Sequence, residues 1–436
     1  MPTRTDCQLA ADALHRAFLI NFVADLERRE LDFASDLEDS DDDMDDGSSS
    51  DSCSTSAASS SKSSDDSDDP DFMTPAETYV HHMANLYSER YMAERTNIPK
   101  TRGLMHLLLN DYKVNHPQIF RNYLRIDPDC FDALVEVIRD DEIFLNNSNN
   151  SQMPVEQQVV IALFCFGHYG NAASIMKVAF QFGVGFGTVH LVTTHVLKAC
   201  CSKKFCSSSI QWANDQMKSE AKDWIEGNSC PAWRNGWLML VSMPNCDIID
   251  YSVGLPGSQH DATAWEETQT CQQHNQLLAN DEWVWADLAY PLKSWCQSPY
   301  KKPEKLELNN AKYNYHLSAV QVCSEHCVGY VKGRWGSLRG LHVSIKGERG
   351  IQYATLWIIA CIHLHAFAMQ HEQGEDLSKN KFFQRGKRYQ KRWRRDQREN
   401  IAQIEDALNI DDDVELLQGN IKREELTEKL FKYMNF

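Results

Sequence analysis

The sequence predicts an α/β protein with an α-helical N-terminal part, and three observations lead there. Between residues 74 and 206 apolar side chains recur at helical spacing, with no strand alternation of any length. After residue 206 short strand-like apolar runs alternate with helical ones, the texture of a sheet covered by helices. Hydrophobic residues make up 42% of the 436, with eleven Trp among them, enough to build a substantial core.

Residues 1–35 place Leu9, Ala13, Leu14, Ala17, Phe18, Ile20, Phe22, Val23 and Leu26 between charges at helical spacing. This predicts an amphipathic helix, and no basic segment leads to a small-residue cleavage site as in a signal peptide. Residues 36–73 are mostly Ser, Asp and Glu and cannot bury enough apolar surface to offset chain entropy, so a disordered acidic linker is expected. Residues 32–71 hold fifteen acids against Lys62, which is 14 of the net charge of -18 and leaves the remainder near neutral. The fourteen cysteines are scattered without a CxxC pair, which argues against a disulfide framework or zinc ribbon and for a reducing compartment.

In the helical region, 74–206, Asp127 reads as an N-cap with Pro128 at the first helical position, ahead of Phe131, Leu134, Val135 and Ile138. Further helices are expected over 155–166, 172–182 and 187–200. The last two are joined by Phe182-Gly-Val-Gly185, a glycine turn that suits a helix-turn-helix or an ordinary helical hairpin. In the first case the helix beginning near Thr188 would contact DNA.

In region 207–372, strands are expected over 236–243, 247–253 and 282–286, and helices over 262–278 and 317–332. The apolar run from Ala354 to Met369 is short of the roughly 20 residues of a membrane span and reads as a buried core helix. His363 and His365 lie two apart on it, face different ways and do not suit a shared metal. The final region, 373–436, is expected to be a basic and then a charged helical tail. Ten basic residues lie between Lys379 and Arg398 against one acid, Asp396, with Tyr389 and Trp393 interleaved. Phosphate tracking, a nuclear import signal and a solvated helix face all fit this stretch.

Chemistry is suggested by Asp287, which ends the apolar run Trp283-Val-Trp-Ala-Asp287, and by Glu325 on the helix carrying Val322 and Val328. Two-metal phosphodiester cleavage needs carboxylates from separate elements converging on ions about 4 Å apart. Hard oxygen donors of this kind suit Mg²⁺ or Mn²⁺. His260 and Asp261 sit in a turn just ahead of a helix, where Asp261 would either cap that helix or, with His260, support the metal site or the DNA strand.

Several motifs occur in one order: Phe120-Arg-Asn-Tyr-Leu-Arg125, Phe131-Asp-Ala-Leu134, Glu220-Ala-Lys-Asp-Trp224, Cys230-Pro-Ala-Trp233-Arg-Asn-Gly236-Trp237 and Ile249-Asp250-Tyr-Ser-Val-Gly254. They continue with Pro256-Gly-Ser-Gln-His260-Asp261, the Asp287 run, Pro299-Tyr-Lys-Lys-Pro303 and Ser324-Glu325-His326 through Lys332-Gly-Arg334. This order resembles the Harbinger/PIF-type transposases of the DDE superfamily, in their fungal branch, over about 120–341. The resemblance implies an RNase H-like DDE nuclease core preceded by a helix-turn-helix region. It makes Asp287 the second and Glu325 the third catalytic, metal-binding carboxylate. In that family a Gly-Trp strand runs into an Asp-Gly-Thr motif bearing the first ligand. Here Gly236-Trp-Leu-Met-Leu240 passes directly into Val241-Ser-Met-Pro-Asn245, with Asp247 and Asp250 the nearest acids. The expected function is therefore that of a transposon-derived endonuclease with impaired metal-dependent DNA cleavage and strand transfer; the alternative is a non-catalytic DNA-binding or scaffold protein keeping the fold. The DNA-contacting set expected is Thr188, Lys332, Arg334, Lys387, Arg388, Arg392, Arg394 and Arg395. Transposon ends and target-site DNA, further copies of the protein, a Myb-like DNA-binding partner and a nuclear location are implied as well.

Overall fold

The computed structural model describes residues 6–38, 74–88, 98–145, 149, 151–239, 242–254, 261–341, 343, 345–398 and 414–434. The chain forms two compact units, Met1–Pro99 and Lys100–Phe436. In the first, α1 (Asp6–Glu38) packs against α2 (Pro75–Ser88). Thr74 and Glu77 start α2 with a reciprocal cap: the Thr74 N–H donates to Glu77 Oε2 at 2.9 Å and the Glu77 N–H to Thr74 Oγ1 at 3.3 Å. Helix α1 forms as expected, yet Leu9, Leu19, Ile20, Phe22, Val23 and Leu26 stay exposed. Residues 39–73, most of the expected linker, lie outside the described residues.

The second unit opens with helices: α3 (103–115, with a π-helical stretch Leu107–Tyr112), α4 (Pro117–Leu124), α5 (Pro128–Ile138), α6 (Val155–Gly167), α7 (Ile175–Phe182), α8 (Phe186–Cys200), α9 (Lys203–Ser209) and α10 (Asp215–Asn228). Helix α6 is buried nearly all round, from Gln158 to Gly167, which makes it the axis of this part. Gly183 ends α7 at φ 65°, a left-handed cap that glycine adopts without strain. The chain then turns by 94° into α8.

Three short strands follow, β1 (Leu238–Met239), β2 (Val284–Trp285) and β3 (Cys296–Gln297), parallel and in that order. Their register sets Met239 beside Trp285 and Trp285 beside Gln297. Antiparallel bridges on the other side of β1 link Met239 to Ser242 and Ser242 to Ile248. The pairing order across the sheet is thus Ile248, Ser242, Met239, Trp285, Gln297, with two antiparallel links and then two parallel ones. The strands are shorter than expected for a specific reason. The N–H and C=O of Met239 pair with Ser242 at 3.1 and 2.9 Å, so the chain doubles back directly after β1. Over 261–277 the expected long helix is broken into Asp261–Glu266, Gln269–Gln272 and His274–Leu277.

Four more helices complete the unit: α11 (Leu308–Arg334), α12 (Gly347–His371), α13 (Lys381–Arg398) and α14 (Val414–Met434). Alternation along the strands splits the sheet into two apolar faces. Met239 and Trp285 pack with Trp233, Tyr313, Leu317, Leu426 and Leu430, while Leu238 and Val284 pack with Trp237, Trp265 and Ile249.

Packing crosses two of the expected boundaries. One hydrophobic cluster runs from Met105 through the helical region to Trp335, α12 and Phe383, so the core does not divide at 206/207. Nor does the described segment 414–434 form a tail. Leu426 and Leu430 of α14 are fully buried on the sheet, and Trp233 Nε1 donates to the Leu426 carbonyl at 3.1 Å. Helix α12 meets the length and composition of a membrane span, but its residues Ala360, Cys361, Leu364 and Ala368 are buried within the core. His363 is a core residue, bonded to Ser209 Oγ and Tyr251 Oη at 2.7 Å each. His365 is fully buried edge-on to Tyr330, with ring centroids 4.7 Å apart.

Candidate active site

Asp287 follows β2 by two residues and is exposed, with its Oδ1 accepting the Ala289 N–H at 2.9 Å. This is the side chain to backbone turn that Asp favours after a strand. The neighbouring strand β1 connects onward to the Ser242 bridge, while β2 connects to β3 on its opposite side. Chain connections therefore leave the C-terminal ends of β1 and β2 in opposite directions. In open α/β sheets ligands bind beyond the carboxyl ends of the strands, and those ends of β1 and β2 lie side by side here.

Glu325 is exposed on α11, the helix whose Tyr313, Leu317, Val320 and Cys323 lie on the Trp285 face of the sheet. One polar contact sets its position along the sheet: Gln321 Nε2 donates to the carbonyl of Ala286, the residue before Asp287. Glu325 lies one helical turn further, about 6 Å along the same helix face. The two sequence-predicted carboxylates thus belong to elements joined at Ala286. Among the described residues, no group of three or more His, Cys, Asp and Glu is disposed to hold a metal.

The nearest acids in sequence are committed elsewhere. Asp250 is buried, and its Oδ2 accepts from both the N–H and Oγ1 of Thr270 at 2.6 Å. Asp247 Oδ2 accepts from Asn245 Nδ2 at 2.6 Å, and burial raises the Asp247 pKa. Leu240, Val241 and His260 lie outside the described residues. So does the side chain of Asp261, although the helical turn Asp261–Glu266 begins at that residue.

Basic helix α13 is laid directly along α11. The seam is made of glycine: a Cβ on Gly333 would sit 2.8 Å from the Gly386 nitrogen, and one on Gly386 would sit 2.9 Å from the Tyr330 nitrogen. A Cβ on Gly329 would come within 2.7 Å of Gln390 Cδ. Gln390 in turn donates to the backbone carbonyl of Glu325. Lys387 stands over the Phe383 ring at 5.5 Å, and, after burial, is a cause of the lowered pKa of His326, the residue following Glu325. Lys387, Arg388, Lys391 and Arg392 are exposed, whereas the side chains of Arg394 and Arg395 lie outside the described residues.

Arg334 is a correction. Its guanidinium has no exposed surface and bonds Glu372 Oε1 and Oε2 at 2.8 and 2.5 Å and Tyr330 Oη at 2.7 Å. Burial alone would lower its pKa, but Tyr330 and Glu372 raise it above the ordinary guanidinium value. It joins α11 to the end of α12 and is not available to DNA. Lys332 is half-buried, and its backbone carbonyl accepts from Arg339 Nε at 3.0 Å. Thr188 is half-buried in the first turn of α8, where the exposed neighbours Phe186, Gly187, His190 and Leu191 carry no fixed positive charge.

The expectations from sequence missed Gln321, Gln390 and the glycine seam. A signal existed for the seam, since Gly329 and Gly333 recur four apart on one helix face, but its partner Gly386 lies 53 residues beyond Gly333. Nothing in local pattern marks Gln321.

Residues 215–366 match the family model of the DDE superfamily endonucleases, a span that contains both Asp287 and Glu325. No curated protein and no solved structure matches the chain.

Proposed function

We propose that this chain is a transposase-like protein of the Harbinger/PIF type. On this reading the region around the sheet is an RNase H-like DDE nuclease core that lacks its first catalytic carboxylate. The observation that carries the proposal is the contact of Gln321 with the Ala286 carbonyl, which sets the Glu325 turn of α11 beside the strand end that bears Asp287. The match to DDE endonucleases over the same residues supports it. A third carboxylate would be needed beyond the C-terminal end of β1, the strand beside the one that leads to Asp287. In the sequence, Val241, two residues past Met239, stands at the position where the resemblance expects that carboxylate.

Asp287 and Glu325 offer hard oxygen donors of the kind Mg²⁺ and Mn²⁺ accept. Two carboxylates do not complete a cage for two divalent ions, so no cleavage step is assigned to this chain as it stands. Its retained role is DNA binding. The turn between α7 and α8 has the angle and length of a helix-turn-helix, about 90–120° over three or four residues. Positive charge is supplied by α13. A nuclear location, self-association and a Myb-like partner belong to the same proposal. The non-catalytic reading, a DNA-binding or scaffold protein, is favoured by the engagement of Asp247 and Asp250 with other groups.

Nicking of supercoiled plasmid with Mn²⁺ or Mg²⁺ tests the reading. Val241→Asp is expected to raise metal-dependent nicking above a near-background wild type, and adding Asp287→Asn is expected to remove the gain. Strong nicking by the unaltered chain, lost in Asp287→Asn and Glu325→Gln, would show an intact centre and overturn the impairment. No gain from Val241→Asp, with DNA still bound, would favour the non-catalytic reading.

A further inference from the structure

Away from Asp287 and Glu325, where α13 meets the 3-10 turn Gly336–Arg339 and the loop after α6, arginines gather beside acids that are already paired with other arginines. Arg125 is buried at 6% exposure and ends α4 at φ 71°, a left-handed conformation uncommon for a residue with a side chain. Its guanidinium donates to the carbonyls of Gly167 and Asn122 at 3.1 and 2.6 Å and meets His168 Nε2 at 3.1 Å. Arg125 and Arg385 stand over the same ring, Phe382, at 5.6 and 6.0 Å. Arg339 lies over Tyr169 and Tyr389 at 5.6 and 5.2 Å, and its Nη2 is buried with no hydrogen-bond partner among the described residues. The nearby acids Glu372, Glu375 and Asp127 are engaged with Arg121, and Glu372 with Arg334 too.

A buried guanidinium paired only with neutral groups and a guanidinium nitrogen with no partner are costly features, and each is offset when an anion is bound. We propose that Arg125, Arg339 and Arg385 form a binding site for one backbone phosphate of duplex DNA, with Arg388 at its rim. The polyanion, rather than a free phosphate, is favoured by what continues from the site. Arg385, Arg388 and Arg392 follow at i, i+3 and i+7 on one face of α13, and the last two are exposed. Such a row matches a chain of charges and exceeds what a single ion requires. The electrostatics agree with the geometry: burial first, then Arg385 and Arg339, depress the Arg125 pKa to about 10. The inference deepens the DNA-binding reading and rests on it.

The test is duplex DNA binding by the full chain, followed by fluorescence anisotropy across salt concentrations, for Arg339→Gln, Arg385→Gln and the exposed control Lys432→Gln. Circular dichroism confirms that each variant is folded. One phosphate contact contributes about 0.9 to the slope of log affinity against log salt, which is about fivefold in affinity at 0.15 M and about fifteenfold at 0.05 M. Each arginine variant is expected to lose up to about that much and to flatten the slope by up to about one, since the site holds one phosphate, with the control unchanged. Unchanged affinity and slope in both variants, with the wild type binding, would overturn the site and leave the DNA-binding reading intact. Absence of duplex binding by the wild type would overturn both.

Discussion

Replacing Arg334 by Met separates the structural role of this arginine from the DNA contact that its position in a basic motif suggests. The substitution keeps most of the side-chain volume and removes a guanidinium with no exposed surface. The Glu372 carboxylate, 3% exposed, is then left with Arg121 Nη2 at 3.0 Å and the Tyr330 hydroxyl at 3.3 Å. Removing one partner of a buried ion pair costs about 3–5 kcal/mol, and the remaining Arg121 contact places the loss near 3 kcal/mol. The companion variant Arg334→Met/Glu372→Leu is expected to recover most of that loss. Apolar replacement of both partners removes the desolvation penalty together with the attraction, and Arg121 keeps Glu375 at 2.8 Å and Asp127 at 3.5 Å. Urea unfolding followed by Trp fluorescence gives the stabilities, and anisotropy gives the DNA affinity of the folded variants. Unchanged stability in Arg334→Met, together with a salt slope flattened by about one, would refute the burial argument and return Arg334 to the DNA contacts.

Two further outcomes follow from burial. His363 is held neutral inside the core, its pKa lowered by burial to about 4 from the ordinary 6.5. Between those values the unfolded chain binds the extra proton, so stability is full above pH 6.5 and falls as pH drops toward 4. The loss is on the order of 3 kcal/mol, and His363→Gln is expected to flatten this limb of a stability-against-pH curve. A limb of unchanged steepness in that variant would assign the acid sensitivity to other groups. Leu426→Ala, at a residue with no exposed surface beneath the sheet, is expected to destabilise the second unit by about 2–5 kcal/mol in the same unfolding experiment. A loss under about 0.5 kcal/mol would instead return α14 to the status of a surface tail.

Sequence alone was enough for the elements whose signals are local. The periodic apolar positions of 155–166 and 187–200 became α6 and α8, and Ala354 to Met369 became the buried helix α12. Asp287 and Glu325 were legible as carboxylates on a strand end and a helix, because each sits in a pattern shorter than ten residues. The strands were read too long, since an apolar run reports burial but not where a partner ends the ladder. Here Met239 pairs with Ser242 and closes β1 after two residues. Strand β3 passed unnoticed because Cys296-Gln297 has no alternation, and only the neighbouring β2 makes it a strand.

What tertiary structure decided is the environment of the charges. Read along the chain, Arg334, Arg385 and Arg388 are three cations in basic motifs. In the fold, Arg334 is buried against Glu372, Arg385 lies near Arg125 and Arg339, and Arg388 is exposed. The reason is that a charge's partners are set by contacts between residues far apart in sequence, such as the glycine seam of α11 and α13. The energy of a charge depends on those partners and on its distance from water. Local sequence therefore determined which residues could carry chemistry, and long-range packing determined which remain available to do so.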